Sequence, residues 1–133
     1  PHRFIYRQND VNTDGNPLAH VILRGGVDKY GKTIPNYHYE DLRIVYDLYQ
    51  KAGLKNPAVI VDANHSNSNK QYKEQIRICM DVMHNRKYHP EIRNLVKGLM
   101  IEKKAAKIFA KTMKKEFLLL ILVSDGKILK SLF

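Results

Sequence analysis

Three residues of this chain stand where short apolar runs give way to polar turns, and their types suit anion binding, metal ligation and proton transfer. Arg24 follows His20-Val21-Ile22-Leu23. His65 lies just past Ala58-Val59-Ile60-Val61, and Glu102 follows Gly98-Leu99-Met100-Ile101. Apolar runs of this length, rich in β-branched residues, read as buried strands. In α/β proteins the carboxyl ends of parallel strands are where ligands bind and chemistry happens. An Arg, a His and a Glu at three successive strand ends would form the beginning of a catalytic rim.

Each residue also has an ordinary reading. Arg24-Gly25-Gly26 could grip a phosphate, because Gly lets the backbone approach and a guanidinium forks two oxygens. It could equally be a surface Arg before a Gly turn. His65 could bind a metal or shuttle a proton, or be a solvated turn residue. Glu102 could be a ligand, a base or a plain solvent-facing carboxylate. Asp62 is expected to fix its turn through backbone hydrogen bonds. Cys79 falls on a helical face read as buried, so it is expected to fill space rather than act as a nucleophile. Tyr37, Tyr39, Tyr46 and Tyr49 read as the packing and flank of a helix.

The elements that must hold these residues follow from periodicity. Phe4-Ile5-Tyr6 and Asp10-Val11 read as a hairpin, followed by a turn at Asn12-Thr13-Asp14-Gly15-Asn16-Pro17. Strands are predicted over His20–Leu23, Ala58–Val61 and Lys97–Ile101. A helix is predicted over Tyr39–Ala52, with Leu42, Val45, Tyr46 and Tyr49 inward and Gly53 as its cap. A second runs over Tyr72–Met83, with Ile76, Cys79, Met80 and Met83 buried and a capping box at Ser68-Asn69-Lys70-Gln71. The β-α-β-α-β order implies parallel strands with right-handed crossovers. Three strands and two helices make an arc of a barrel or one covered face of a sheet.

Composition sets limits. The 133 residues are 44% hydrophobic, enough for one modest core. Cys79 is the sole cysteine, which rules out an internal disulfide and fits a reducing compartment. Pro1-His2-Arg3-Phe4 lacks the apolar core of a signal peptide. The longest apolar run, Phe117 to Val123, is far shorter than the ~20 residues of a membrane span. A soluble, cytoplasmic protein without a membrane partner is expected. The net charge of +10 raises the question of a polyanion. Residues 103–133 hold eight Lys against Glu116 and Asp125, a net of +6, and no Arg. Residues 1–102 hold 15 basic and 11 acidic groups, a net of +4. A nucleic-acid face usually relies on Arg and stacked aromatics, so no nucleic-acid partner is expected. The alternative is a small basic protein that uses its Lys-rich tail on nucleic acid or an anionic surface.

The order Gly15-Asn16-Pro17, His20-Val21-Ile22-Leu23-Arg24-Gly25-Gly26, Pro35-Asn36-Tyr37, Ala52-Gly53-Leu54, Asp62 to Gln71 and Gly98-Leu99-Met100-Ile101-Glu102 resembles the feedback-inhibited 3-deoxy-D-arabino-heptulosonate 7-phosphate synthases. Pro1-His2-Arg3-Phe4 is also similar, although the segment to Val11 is a few residues shorter than usual. The resemblance implies an α/β fold, the C-terminal part of a TIM (β/α)8 barrel holding strands six to eight over residues 1–102. It implies condensation of phosphoenolpyruvate with erythrose 4-phosphate, a divalent metal (Mn, Fe, Co or Zn), a homo-oligomer and inhibition by an aromatic amino acid. Arg24 would then hold phosphoenolpyruvate at its phosphate end. His65 and Glu102 would be metal ligands, with His65 also beside the substrate, and Phe4 would line the inhibitor pocket.

After Glu102 the resemblance stops. The family's Cys ligand, its Lys-Pro-Arg-Thr loop and most of its other phosphate-binding residues have no counterpart in residues 1–133. Permitted codons for Phe117 to Phe133, read from one nucleotide earlier, spell Val-Ser-Ile-Thr-Asp-Pro-Cys-Leu-Gly-Trp-Glu-Asp-Thr-Glu-Lys-Ser-Phe. Two bases of each shifted codon come from the residue observed. That string is similar to the family's C-terminal motif with its Asp ligand. Residues 103–133 are therefore expected to be an out-of-frame reading, not native to the fold, and the chain alone is expected to be inactive.

Overall fold

The computed structural model describes residues 2–112, 120–123 and 128–129. The N-terminal segment forms the expected hairpin, β1 (Arg3–Tyr6) against β2 (Asn9–Asn12), with Phe4 opposite Val11. The turn is tight because Arg7 and Gln8 both take left-handed backbone conformations.

The main sheet begins with β3 (Val21–Leu23). A small hairpin, β4 (Gly26–Val27) with β5 (Thr33–Ile34), follows. Asp28 closes it by accepting the Tyr30 and Lys32 amide hydrogens, so local turn chemistry outweighs weak strand propensity. The first long helix, α1 (Tyr39–Lys51), starts where predicted; Asp41 in its first turn accepts the His38 N–H at 3.1 Å. It ends on Gly53, whose φ of 62° suits glycine. Gly53 N–H donates to Gln50 and Leu54 N–H to Tyr49, a Schellman closure of the last carbonyls.

Next, β6 (Val59–Asp62) is buried at every position. The four-residue helix α2 (His65–Ser68) leads to α3 (Tyr72–Tyr88), then to α4 (Pro90–Leu95) with Pro at its first position. Strand β7 (Val96–Ile101) and helix α5 (Lys103–Thr112) follow, then β8 (Leu120–Val123) and β9 (Ile128–Leu129). The sheet order is β3-β6-β7-β8-β9. β3, β6, β7 and β8 are parallel neighbours, with Leu23 beside Val61 and Val61 beside Leu99; β9 returns antiparallel. The fold is thus α/β with a mainly parallel sheet, and it continues past the three strands read from the sequence. All four positions of β6 are buried, which is why it reads as a continuous apolar run.

The core joins Leu42 and Tyr49 of α1, Val59 and Val61 of β6, Ile78, Val82 and Met83 of α3, and Ile92, Leu95 and Leu99. Helix α3 differs from the sequence reading in its cap, in its buried face and in its end, which lies at Tyr88, past Met83. The helix starts at Tyr72 but without the capping box read at Ser68, because residues 65–70 form their own turn: Lys70 N–H donates to His65 and Gln71 N–H to Ser68, each at 3.0 Å. Its buried face is Gln75, Ile78, Cys79, Val82 and Met83, so Ile76 is only partly covered and Met80 is 41% exposed. The row Ile78-Val82 faces inward because Gln75, one turn before it, is held against the end of β7.

Candidate functional site

The ends of β3, β6 and β7 lie side by side, so Arg24, His65 and Glu102 share one rim of the sheet as expected. Asp62 organises it. This last residue of β6 is fully buried. Its Oδ1 accepts the Asn64 N–H at 2.9 Å, which fixes the turn as the sequence suggested. Its Oδ2 does more: it lies 2.8 Å from His65 Nδ1 and 3.3 Å from Arg24 Nε. Arg24 Nη2 in turn reaches His65 Nε2 at 2.5 Å. A guanidinium can only donate, so Nε2 accepts; the ring hydrogen then sits on Nδ1 and is donated to Asp62. Arg24 and His65 are half-exposed around a buried carboxylate.

The backbone is shaped to make this possible. His65 has φ 51° and Asn69 φ 50°, left-handed conformations that Asn and His tolerate better than most residues. Gly25 has φ +70°, and a Cβ there would lie 2.9 Å from both the Ser66 Cβ and the Ile34 carbonyl. Glycine is thus demanded by the close approach of the loop after β3 to the turn after β6.

Asn67 locks that approach, a role the sequence reading missed by treating residues 64–69 only as a loop. Its Nδ2 donates to Leu23 O at 3.1 Å and Asp62 O at 2.8 Å, tying two strand ends together. Its Oδ1 accepts the Asn36 N–H, and Asn36 Oδ1 accepts the Gly25 N–H at 2.7 Å. A signal was present: an Asn two residues after a strand-end His, with Pro35-Asn36 upstream, offers amides able to bridge strand ends.

Glu102 joins the rim indirectly. Its N–H donates to Gln75 Oε1 at 2.9 Å, and its Oε1 accepts from Asn64 Nδ2 at 2.8 Å. Asn64 Oδ1 and Gln75 Nε2, on the two residues that hold Glu102, are buried polar atoms without a hydrogen-bond partner in the structure. Such atoms mark a place where a further polar group belongs. Arg24 and His65 therefore touch, whereas Glu102 is linked to His65 through the adjoining Asn64. Among the described residues no group of three or more His, Cys, Asp or Glu could hold a metal ion.

Phe4 lies elsewhere, on the N-terminal hairpin, 41% exposed and stacked on His2. A shallow pocket of about 380 Å³ beside it is lined by Arg3, Phe4, Ile5, Gln8 and Asp10. A larger cleft of about 770 Å³ opens at the other end of β3, between Pro17, Val21, Leu48, Tyr49 and Leu54. It contains none of the rim residues. Burial pushes the Cys79 thiol up to about 12, in keeping with a packing role. No helix among the described residues is long and apolar enough to cross a membrane.

Comparison with known proteins was decisive for family. A sequence model of the DAHP synthetase I family matches residues 4–133. A phospho-2-dehydro-3-deoxyheptonate aldolase of Haemophilus influenzae is 49% identical over 72 residues, 54% of this chain and 18% of the relative. A Phe-sensitive enzyme of that name from Escherichia coli K12 is 45% identical over 73 residues, 54% of this chain and 19% of the relative. A Tyr-sensitive one from Salmonella typhimurium is 36% identical over 107 residues, 77% of this chain and 27% of the relative. The matched part thus spans between 18% and 27% of the length of these relatives. The chain belongs to the DAHP synthetase I family.

Proposed function

We propose that residues 1–102 supply one arc of the active-site rim of a synthase that condenses phosphoenolpyruvate with erythrose 4-phosphate, the entry reaction to aromatic amino acids. The arc is the C-terminal part of a TIM barrel. One observation carries the reading. The Arg and His that the family resemblance assigns to substrate and metal are joined on the carboxyl rim by a buried Asp.

Arg24 is set to neutralise an anion. Its guanidinium is half-exposed, steadied by Asp62, and can turn its remaining donors to a phosphate. His65 turns Nε2 to the rim, where Arg24 Nη2 meets it; with Arg24 drawn to an anion, that nitrogen would be open to a metal or to a proton from substrate. The Glu102 carboxylate, held by Asn64, offers the second oxygen. Imidazole nitrogen and carboxylate oxygen suit Mn, Fe, Co or Zn, and the orphaned Asn64 Oδ1 leaves polar capacity beside them. His65 and Glu102 would hold the ion, with further ligands from outside the described residues. When bound, that metal would polarise the aldehyde.

Phe4 and the hairpin pocket are the proposed seat of an aromatic amino acid inhibitor, by analogy with relatives whose names are Phe-, Tyr- and Trp-sensitive. A homo-oligomer in the cytoplasm completes the reading. The comparisons lend no support to the alternative of a basic nucleic-acid-binding or surface-binding protein. For residues 103–133 the out-of-frame origin is retained as a proposal. The shifted Ser-Ile-Thr-Asp string and the Arg-free Lys excess support it, while the family match itself runs on to residue 133. Genomic DNA whose neighbouring frames lack that string would remove it.

The functional test has two arms. The 133-residue chain with Mn²⁺ should leave phosphoenolpyruvate and erythrose 4-phosphate unchanged, because such constellations lose function as units. A chimera of the Haemophilus influenzae relative carrying residues 1–102 in place of its matching segment should be active. It should lose that activity on His65→Ala or Glu102→Ala. A chimera whose activity ignores both substitutions would refute the assignment.

A further inference from the structure

We propose that Asp62 is the positioning residue of this rim: its carboxylate sets the tautomer of His65 and the aim of Arg24 at once. The inference rests on the reading of His65 and Arg24 given above, and concerns a residue that touches neither substrate nor metal.

Asp62 is fully buried, and its two oxygens face two hydrogen-bond donors and one guanidinium. Oδ1 takes the Asn64 N–H at 2.9 Å and Oδ2 takes the His65 Nδ1 hydrogen at 2.8 Å, while Arg24 Nε lies 3.3 Å from Oδ2 as an ion pair. Fixing the turn needs Oδ1 alone. The second oxygen is left to the two side chains expected to act. With Nδ1 donating to Oδ2, the ring must present its Nε2 lone pair outward, and Arg24 Nη2 confirms that side as the acceptor at 2.5 Å. A His that binds a cation or accepts a proton needs that tautomer, and a carboxylate behind the ring is the usual way to secure it. The same oxygen pairs with the Arg24 guanidinium, and with Nη2 on His65 the guanidinium keeps Nη1 for an anion. One buried group thus couples the anion-binding and lone-pair-bearing side chains, and the Asn67 bracket holds β3 and β6 at the spacing this needs.

The residue is replaceable in shape but not in hydrogen-bonding character. In Asp62→Asn, Oδ1 keeps the Asn64 N–H, Nδ2 presents hydrogens where His65 Nδ1–H already donates, and the charge that Arg24 pairs with is removed. The ring then moves its hydrogen to Nε2, and Arg24, already half in water, turns to solvent. The reverse amide orientation sets Nδ2 against the Asn64 N–H, a part-buried donor with no other partner, and is disfavoured.

The test is ¹⁵N NMR of the His65 ring in the metal-free chain at about pH 8.5, where a free imidazole is neutral. The wild-type ring should be protonated at Nδ1, Asp62→Asn should move the hydrogen to Nε2, and Asp62→Glu should restore Nδ1. A wild-type ring protonated at Nε2, or an Asn variant that keeps the Nδ1–H form, would overturn the proposal. The wild-type spectrum decides even if the Asn variant does not fold. This readout needs neither turnover nor metal, so it stands apart from the functional reading. Absence of Mn²⁺ binding would remove the metal assignment and leave the tautomer result intact.

Discussion

Two regions of this chain carry residues expected to bind small molecules, and they are built in opposite ways. The rim is made by distant parts of the sequence: Arg24 meets His65, Asn64 meets Glu102, and Asn67 reaches back to Leu23. Its centre, Asp62, is buried, and its parts sit on parallel strands. The hairpin around Phe4 is local. The hydrogen bonds described for residues 2–13 close on one another, through Arg3 with Asp10, His2 with Thr13 and Asn9 with Arg7, and its strand residues are exposed or half-buried. A preorganised rim can hold charged groups in fixed geometry, whereas an exposed hairpin depends on what it meets.

The largest expected difference between the regions is in stability. Leu99 and Leu42 are fully buried in the core under the rim. Either Leu→Ala change should cost about 2–5 kcal/mol in urea melts. Asn67→Ala should come next, at about 2–3 kcal/mol, because the Asn36 N–H and the Leu23 and Asp62 carbonyls each lose a partner. Gly25→Ala should cost about 1–3 kcal/mol, since the left-handed φ and the 2.9 Å approaches both oppose a Cβ. Phe4→Ala should change stability by less than about 0.5 kcal/mol. A hairpin substitution that matched the core losses would erase the distinction.

Cys79 sharpens the comparison through pH. Burial raises its folded pKa to about 12, above the ordinary thiol value of 9.0. The folded state therefore holds the thiol proton more tightly, and this contribution to stability is complete below about 9 and lost as pH rises toward about 12. Thiol reagents at neutral pH should label Cys79 only on unfolding; rapid labelling of the native chain would show the core to be open.

Much of the rim was legible because strand ends follow from apolar runs and chain order. The hairpin, β3, α1, β6 and β7 were placed to within a residue or two, and the parallel pairing followed from the crossovers. What was not legible depended on tertiary contacts. The buried face of α3 is set by Gln75 meeting the Glu102 N–H, which periodicity weighs as a polar error. Helix α4 is too short for a periodic signal, although Pro90 at its start was a cue. The double role of Asp62 and the bracket of Asn67 depend on distances across the sheet, so the sequence showed the residue types without their partners.

The central claim is that Arg24 and His65 act as one unit on this rim. A double-mutant cycle on the active chimera tests it most directly, with kcat/KM measured for Arg24→Ala, His65→Ala and the pair. The double variant should be little worse than the poorer single one, as expected for groups that work together. Losses that multiply independently, or singles that leave kcat/KM unchanged, would contradict the account.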